Sequence, residues 1–177
     1  MNTFVPSITR IQCPDIDLYK NKELTDSLDK VFNLPEIKLK NASRGSQDGH
    51  GLSFAGHPYL SLEHLPGSQE LINWIRKQIN TSISFRRSWA NRIFKGCKGV
   101  VHNHITYGHV DLVGIFYVDV PATGAELIFV NDSGEEYHIN PSPGELILHD
   151  PAINHTVGEH TEDMVRTVFV FDIVYVA

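Results

Sequence analysis

His102 and His104 are separated by one residue, as are His109 and Asp111, while His155 stands far downstream with Arg166 eleven residues beyond it. Residues i and i+2 of a strand point the same way, so either early pair can face one ion. Imidazole suits iron, zinc and copper. Two ligands from one strand with a third from a distant one is how a non-haem iron site is assembled. An arginine beyond the third ligand could hold an acidic co-substrate, because a guanidinium pairs bidentately with a carboxylate. Seven of the ten histidines fall between residues 102 and 160, which raises the case for a metal.

The residues alone offer more than one ligand set. His109 and Asp111 supply the types of a site with two histidines and one carboxylate. His102 and His104 with His155 would make a three-histidine site of lower ligand charge. The sets His102, Asp111, His155 and His109, Asp111, His155 both stay open on this ground.

Elements able to position these residues are legible on either side of residue 82. In 21–33, Leu24, Leu28, Val31 and Phe32 recur at helical spacing, and Pro35 stops the pattern. In 67–80, Ser68 is a plausible N-cap and Leu71, Ile72, Ile75 and Ile79 form an apolar stripe with Trp74 beside it. Residues 41–51 are polar and glycine-rich, a loop with the potential to cover a site. From 83 onward the texture changes to short β-rich runs separated by turns such as PATG, NDSG and PSPG. About eight strands follow without an intervening helix. The expected fold is mostly β with N-terminal helices: a double-stranded β-helix, the jelly-roll or cupin-like core. One domain is expected over 1–177, with 1–82 as helical and loop support and 83–177 as the core.

The hydrophobic fraction of 41% is sufficient for a real core, and the formal net charge of −6 argues against general nucleic-acid binding. The basic run Arg86, Arg87, Arg92, Lys95, Lys98 overlaps an expected strand and reads as a solvated face or edge. No apolar stretch approaches the roughly 20 residues of a membrane span, and the N-terminus has no signal-peptide pattern. Two distant cysteines, Cys13 and Cys97, make no disulfide framework, which fits a reducing cytoplasm.

The segments SWANRIFKG, HNH, GIFYVDVP, PSPGELILHDPAINH and MVRTVFVFDI occur in this order. In order and spacing they resemble the 2-oxoglutarate/Fe(II) dioxygenase superfamily, in particular its prolyl-hydroxylase-like oxygenases of phage and marine bacteria. The resemblance covers about half the chain, from about Trp89 to the C-terminus. It implies Fe(II), with 2-oxoglutarate and O₂ as co-substrates, and a hydroxylase acting on a small molecule or a protein side chain. It aligns Tyr117 with a tyrosine that helps bind 2-oxoglutarate, Arg166 with the arginine that takes its distal carboxylate, and Asn91 with a co-substrate hydrogen-bonding position.

The resemblance also bears on the ligands. His102 lies 15 residues before Tyr117, room for a strand end, a loop and the next strand. Asp111, on the face of Tyr117, would sit about 20 Å along the same strand from it, far from a shared iron. His102, His104 and His155 are therefore the preferred ligands, a departure from the H-x-D pattern. Trp89 is expected in the core, His149 beside the ligands, and His138 and His160 in solvent. Two other functions remain. One is a cupin-like three-histidine metalloenzyme without 2-oxoglutarate. The other is a non-catalytic metal- or sugar-binding jelly roll.

Overall fold

The computed structural model describes residues 4–38, 51–55 and 57–176. Nine strands run through it: β1 (Ile8–Gln12), β2 (Leu52–Ser53), β3 (Ile83–Ile93), β4 (Leu112–Asp119), β5 (Leu127–Val130), β6 (Glu136–Ile139), β7 (Glu145–His149), β8 (Asn154–Val157) and β9 (Arg166–Tyr175). They form a six-stranded sheet in the order β1-β7-β4-β9-β3-β2 and a three-stranded sheet in the order β6-β5-β8, with antiparallel pairing throughout. Two antiparallel sheets joined by strand-to-strand crossings are the jelly roll expected from the short β-rich runs and their turns.

Before β3 the described residues form the helices α1 (Asp17–Lys20), α2 (Lys22–Phe32) and α3 (Gln69–Gln78), besides a short helical stretch at 35–38. Leu24, Leu28, Val31 and Phe32 of α2 are buried, as are Leu71, Ile72 and Ile75 of α3. Each such side chain stabilises the fold by about 1.5–3 kcal/mol relative to exposure. The helices cover the outer face of the large sheet, where Phe116 of β4 meets Tyr19 at 5.0 Å and Trp74 at 6.0 Å between ring centroids. Thr167, on the opposite side of β9 from Arg166, is buried.

Several local expectations need correction. Ser68 precedes α3, but its hydroxyl donates to the Leu65 carbonyl at 2.7 Å and caps no helix N–H. Pro35 ends α2 and also opens a further helical stretch at 35–38, where its missing N–H costs nothing. β1, absent from the sequence reading, extends the large sheet by pairing with β7. Residues 100–105 do not form a strand: they contribute one bridge, His102 to His155, and lead into a 3₁₀ turn, Ile105–Tyr107. The basic run is not a solvated face throughout, since Arg92 pairs with Asp29 at 2.7 Å and lies over the Phe32 ring, and Arg87 turns inward. The glycine-rich loop falls mostly on residues 39–50, outside the described residues. No helix among the described residues is long and apolar enough to cross a membrane.

The inner face of the large sheet is set by register. Arg87 of β3 lies opposite Asp172 of β9, which lies opposite Val113 of β4, which lies opposite His149 of β7. Trp89, Val170, Ile115 and Ile147 form the next row, and Asn91, Val168 and Tyr117 the row after that. Arg166, opposite Ile93, completes the inner face of β9. All of these side chains share one side of the sheet because successive strand residues alternate.

Candidate metal centre and co-substrate cavity

His102, His104 and His155 each bring a ring nitrogen to within 4.8 Å of the other two. β8 supplies His155. The segment leading to His102 is laid alongside it by backbone bonds: His102 N–H donates to the His155 carbonyl at 3.0 Å and His155 N–H donates back at 2.8 Å. Gly99 permits the approach, since its N–H donates to the Val157 carbonyl at 2.8 Å and a Cβ at Gly99 would lie 2.6 Å from Val157 N. His104 follows, its N–H donating to the Pro151 carbonyl at 2.9 Å.

The Nδ1 atom of each ring is occupied away from the common point. His102 Nδ1 meets the Val100 carbonyl at 2.9 Å, His155 Nδ1 meets the Ile153 carbonyl at 3.3 Å, and His104 Nδ1 meets Asp172 Oδ1 at 2.5 Å. A proton on each Nδ1 leaves each Nε2 with a lone pair to offer. His104 Nε2 is buried without a hydrogen-bond partner among the described residues. Burial, then the neighbouring His149, His102 and His104, holds the His155 imidazole well below its ordinary pKa, which keeps it neutral, the form that binds metal. His104 and His155 are buried and His102 is exposed, so the cluster opens on the His102 side, next to the exposed Val100, Val101 and Ile105.

A cavity extends inward from the histidines. Its polar wall is His102, His104, His155, Asn91 and Arg166, and its apolar wall includes Trp89, Ile115, Leu127, Val168 and Val170. Arg166 is 1% exposed, and its Nε and Nη1 have no hydrogen-bond partner among the described residues. The surface ion pairs open to it in principle are not made: Glu162 accepts from Thr123, and Asp163 pairs with Lys95. Burial lowers the Arg166 pKa, with Tyr117 acting the other way. The Tyr117 hydroxyl is pushed up to about 12 by burial, against the pull of Arg166, and stays protonated. Its oxygen and Asn91 Oδ1 are likewise buried and unpartnered. Such groups are costly to leave unsatisfied. Arg166 and Asn91 line the cavity, with the Tyr117 ring 5.1 Å from the Arg166 guanidinium, and a cavity so lined fits a polar, anionic ligand.

His109 and Asp111 are not part of this cluster. His109 is exposed and pairs with Asp111 at 3.0 Å. Asp111 Oδ2 accepts from Tyr175 N–H at 2.8 Å, tying the end of β9 to the start of β4. His149 does approach, its ring centroid 4.7 Å from that of His155, and burial holds its pKa at about 4. His160, expected in solvent, is fully buried and bonds the Met164 carbonyl through Nε2 at 2.6 Å. His138 is half-exposed between Glu126 and Glu136. Cys13 and Cys97 are both free thiols.

Two residues join the cluster unannounced: Asp172, and Arg87, which was expected on a solvated face. Asp172 is fully buried and takes Arg87 Nε on Oδ2 at 2.7 Å as well as His104 on Oδ1. The signal was present, as an acidic residue at an inward position of the apolar run VFVFDIVYV. Trp89 adds to the grouping, stacked on the His104 ring at 5.9 Å and 18° with the Arg87 guanidinium 5.4 Å from its own ring centre.

No protein-family model matches the sequence, and no curated protein does. Solved structures do match the fold. A 2OG-Fe(II) oxygenase family oxidoreductase from Burkholderia pseudomallei superposes with a TM-score of 0.53 at 18% identity over 62% of this chain, which spans 58% of that one. The viral collagen prolyl hydroxylase of Paramecium Bursaria Chlorella virus-1, solved with 2OG, gives 0.57 at 14% identity over 96% of both chains. HygX from Streptomyces hygroscopicus, solved with nickel and 2-oxoglutarate, gives 0.58 at 11% identity over 95% of this chain and 82% of that one. The chain has the double-stranded β-helix fold of these 2-oxoglutarate/Fe(II) oxygenase structures.

Proposed function

We propose that the protein is a non-haem Fe(II), 2-oxoglutarate-dependent oxygenase of the hydroxylase type. The observation that carries this reading is the position of Arg166, a buried guanidinium with unpartnered N–H groups in the same cavity as three converging histidines. His102, His104 and His155 would hold the metal through Nε2. Iron bound there supplies O₂ chemistry coupled to oxidative decarboxylation of 2-oxoglutarate. Arg166 binds the distal carboxylate of the co-substrate, and the Tyr117 hydroxyl and Asn91 side chain complete its polar contacts. Val168, Val170, Ile115 and Leu127 keep water from the space between the arginine and the histidines. The primary substrate, a small molecule or a protein side chain, approaches from the His102 side. Free thiols and the absence of a disulfide framework accord with a reducing cytoplasm.

The direct test is conversion of 2-oxoglutarate to succinate and CO₂ by Fe(II)-loaded protein under O₂. Uncoupled turnover, abolished in Arg166→Ala, is the expected result. A protein that neither binds nor decarboxylates 2-oxoglutarate would leave the second reading, a three-histidine metalloenzyme whose substrate binds the metal itself. That reading is favoured by the histidine at position 104, which leaves no carboxylate among the grouped residues. It gives Arg166 no task.

A further inference from the structure

The three-histidine cluster lacks a carboxylate, yet a buried carboxylate stands one hydrogen bond behind it. Asp172 Oδ1 meets His104 Nδ1 at 2.5 Å, and both side chains are almost wholly buried. The other oxygen, Oδ2, receives Arg87. We propose that Asp172 is a positioning residue for the metal centre, fixing His104 with its proton on Nδ1 and its Nε2 lone pair toward the metal, and placing a negative charge next to the ligand ring. This rests on the reading of His102, His104 and His155 as metal ligands.

The strands are arranged for this contact. Asp172 lies on the inner face of β9, the face that carries Val170, Val168 and Arg166. In β3 the register shifts between Phe85, opposite Ile173, and Arg87, opposite Asp172. Phe85 faces outward, where its ring packs 5.1 Å from Phe171. Without the shift, Arg86 would stand opposite Asp172, and Arg87 would share the outer face with Phe85. A bulge re-aims the side chains that follow it, and here it turns Arg87 inward onto Asp172. The arginine orients the carboxylate and offsets its charge, which a lone buried aspartate could not sustain. Trp89, stacked on His104, closes the remaining face of the ring.

A carboxylate that accepts the N–H of a ligating imidazole fixes its tautomer and raises its basicity, and loss of such a partner typically lowers metal affinity by about 10- to 100-fold. Asp172 thereby returns to the centre, at one remove, the negative charge that an H-x-D ligand would supply directly. It also puts the orientation of a metal ligand and the co-substrate arginine on the same strand, β9.

The test uses the full chain, stripped of metal and titrated anaerobically with Co(II), whose d–d bands report ligand geometry. Asp172→Ala is expected to bind Co(II) about 10- to 100-fold more weakly, with altered bands. Asp172→Asn, whose amide oxygen still accepts from Nδ1, is expected to lose less. Circular dichroism and melting of the metal-free variants check the fold. A folded Asp172→Ala, or a folded Asp172→Asn where the alanine variant does not fold, with wild-type affinity and bands overturns the proposal. A readout without substitution accompanies it: nitrogen–proton correlation spectra of the Zn(II)-loaded wild type should give His104 protonated on Nδ1 and metal-bound through Nε2. Metal on Nδ1 overturns the proposal. Failure of the wild type to bind Co(II), or full binding by His155→Ala, sinks the metal-centre reading itself and so is distinct from failure of the Asp172 assignment alone.

Discussion

The guanidinium carbon of Arg166 lies 5.1 Å from the centre of the Tyr117 ring, and both side chains are fully enclosed in the barrel. A cation over an aromatic face gains electrostatic energy. It does not thereby satisfy its N–H groups, and Arg166 Nε and Nη1 remain without partners among the described residues. In the function proposed above, the carboxylate of the co-substrate supplies those acceptors.

Replacing Arg166 should therefore separate binding from stability. Arg166→Met removes a buried charge that pairs with no carboxylate among the described residues, so the ligand-free variant is expected to melt at or above the wild-type temperature. Its affinity for 2-oxoglutarate, measured by anaerobic calorimetry on Mn(II)-loaded protein, should fall at least about 10-fold, the scale of a lost charge-assisted hydrogen bond. A large loss of stability with unchanged affinity would mean that the arginine is only a structural cation.

Tyr117→Phe keeps the ring under Arg166 and deletes the unpartnered hydroxyl. The metal-free melting temperature should hold or rise slightly, since an unsatisfied buried hydroxyl costs about 1–3 kcal/mol. Affinity for 2-oxoglutarate should drop several-fold in the same calorimetric assay, and an unchanged affinity would remove Tyr117 from the co-substrate contacts.

His155→Ala and Asp111→Ala should behave in opposite ways. Without His155 the metal stoichiometry after reconstitution, read by elemental analysis, should collapse. Without Asp111 it should stay near wild type, because Asp111 serves the Tyr175 N–H. That variant should instead lose about 1 kcal/mol of stability in denaturant unfolding. Loss of metal from Asp111→Ala at constant fold would reinstate the H-x-D pair.

The buried histidines set a pH dependence. His149 has a folded pKa of about 4 against an ordinary 6.5, and His155 is also held well below 6.5, both chiefly by burial. The unfolded chain takes up protons on them as pH falls through about 6.5, while the folded chain does not until much lower. Their contribution to stability is thus complete above about pH 6.5 and falls away below it; for His149 it is lost by about pH 4, on the order of 3 kcal/mol. Melting of the metal-free protein should fall steeply across that window, and His149→Met should flatten the slope. A flat profile from pH 7 to pH 4.5 would contradict the burial argument.

The β-rich apolar runs of β4, β5 and β9, the two amphipathic helices and the turns NDSG and PSPG were all legible in the sequence, because β-branched and aromatic texture, helical period and turn chemistry are local properties. The residue types singled out for a site were likewise in the sequence, and in the structure His102, His104, His155, Asn91 and Arg166 line one cavity, with Tyr117 against Arg166. β1 was not legible, since its mixed sequence ITRIQ carries no period of two and gains meaning only from the edge of β7 that it covers. The choice between two early histidine pairs was not settled by spacing either. A bridge from His102 to His155, across more than fifty residues of chain, brings one pair to the third histidine and leaves the other at the surface. The partnership of Arg87 with Asp172 lay further from reach, because a register shift in β3 decides which of two adjacent arginines faces inward. Residue types and their spacing fix what chemistry is available. Which groups share it depends on strand register and long-range bridges, whose free energy comes from packing the whole barrel.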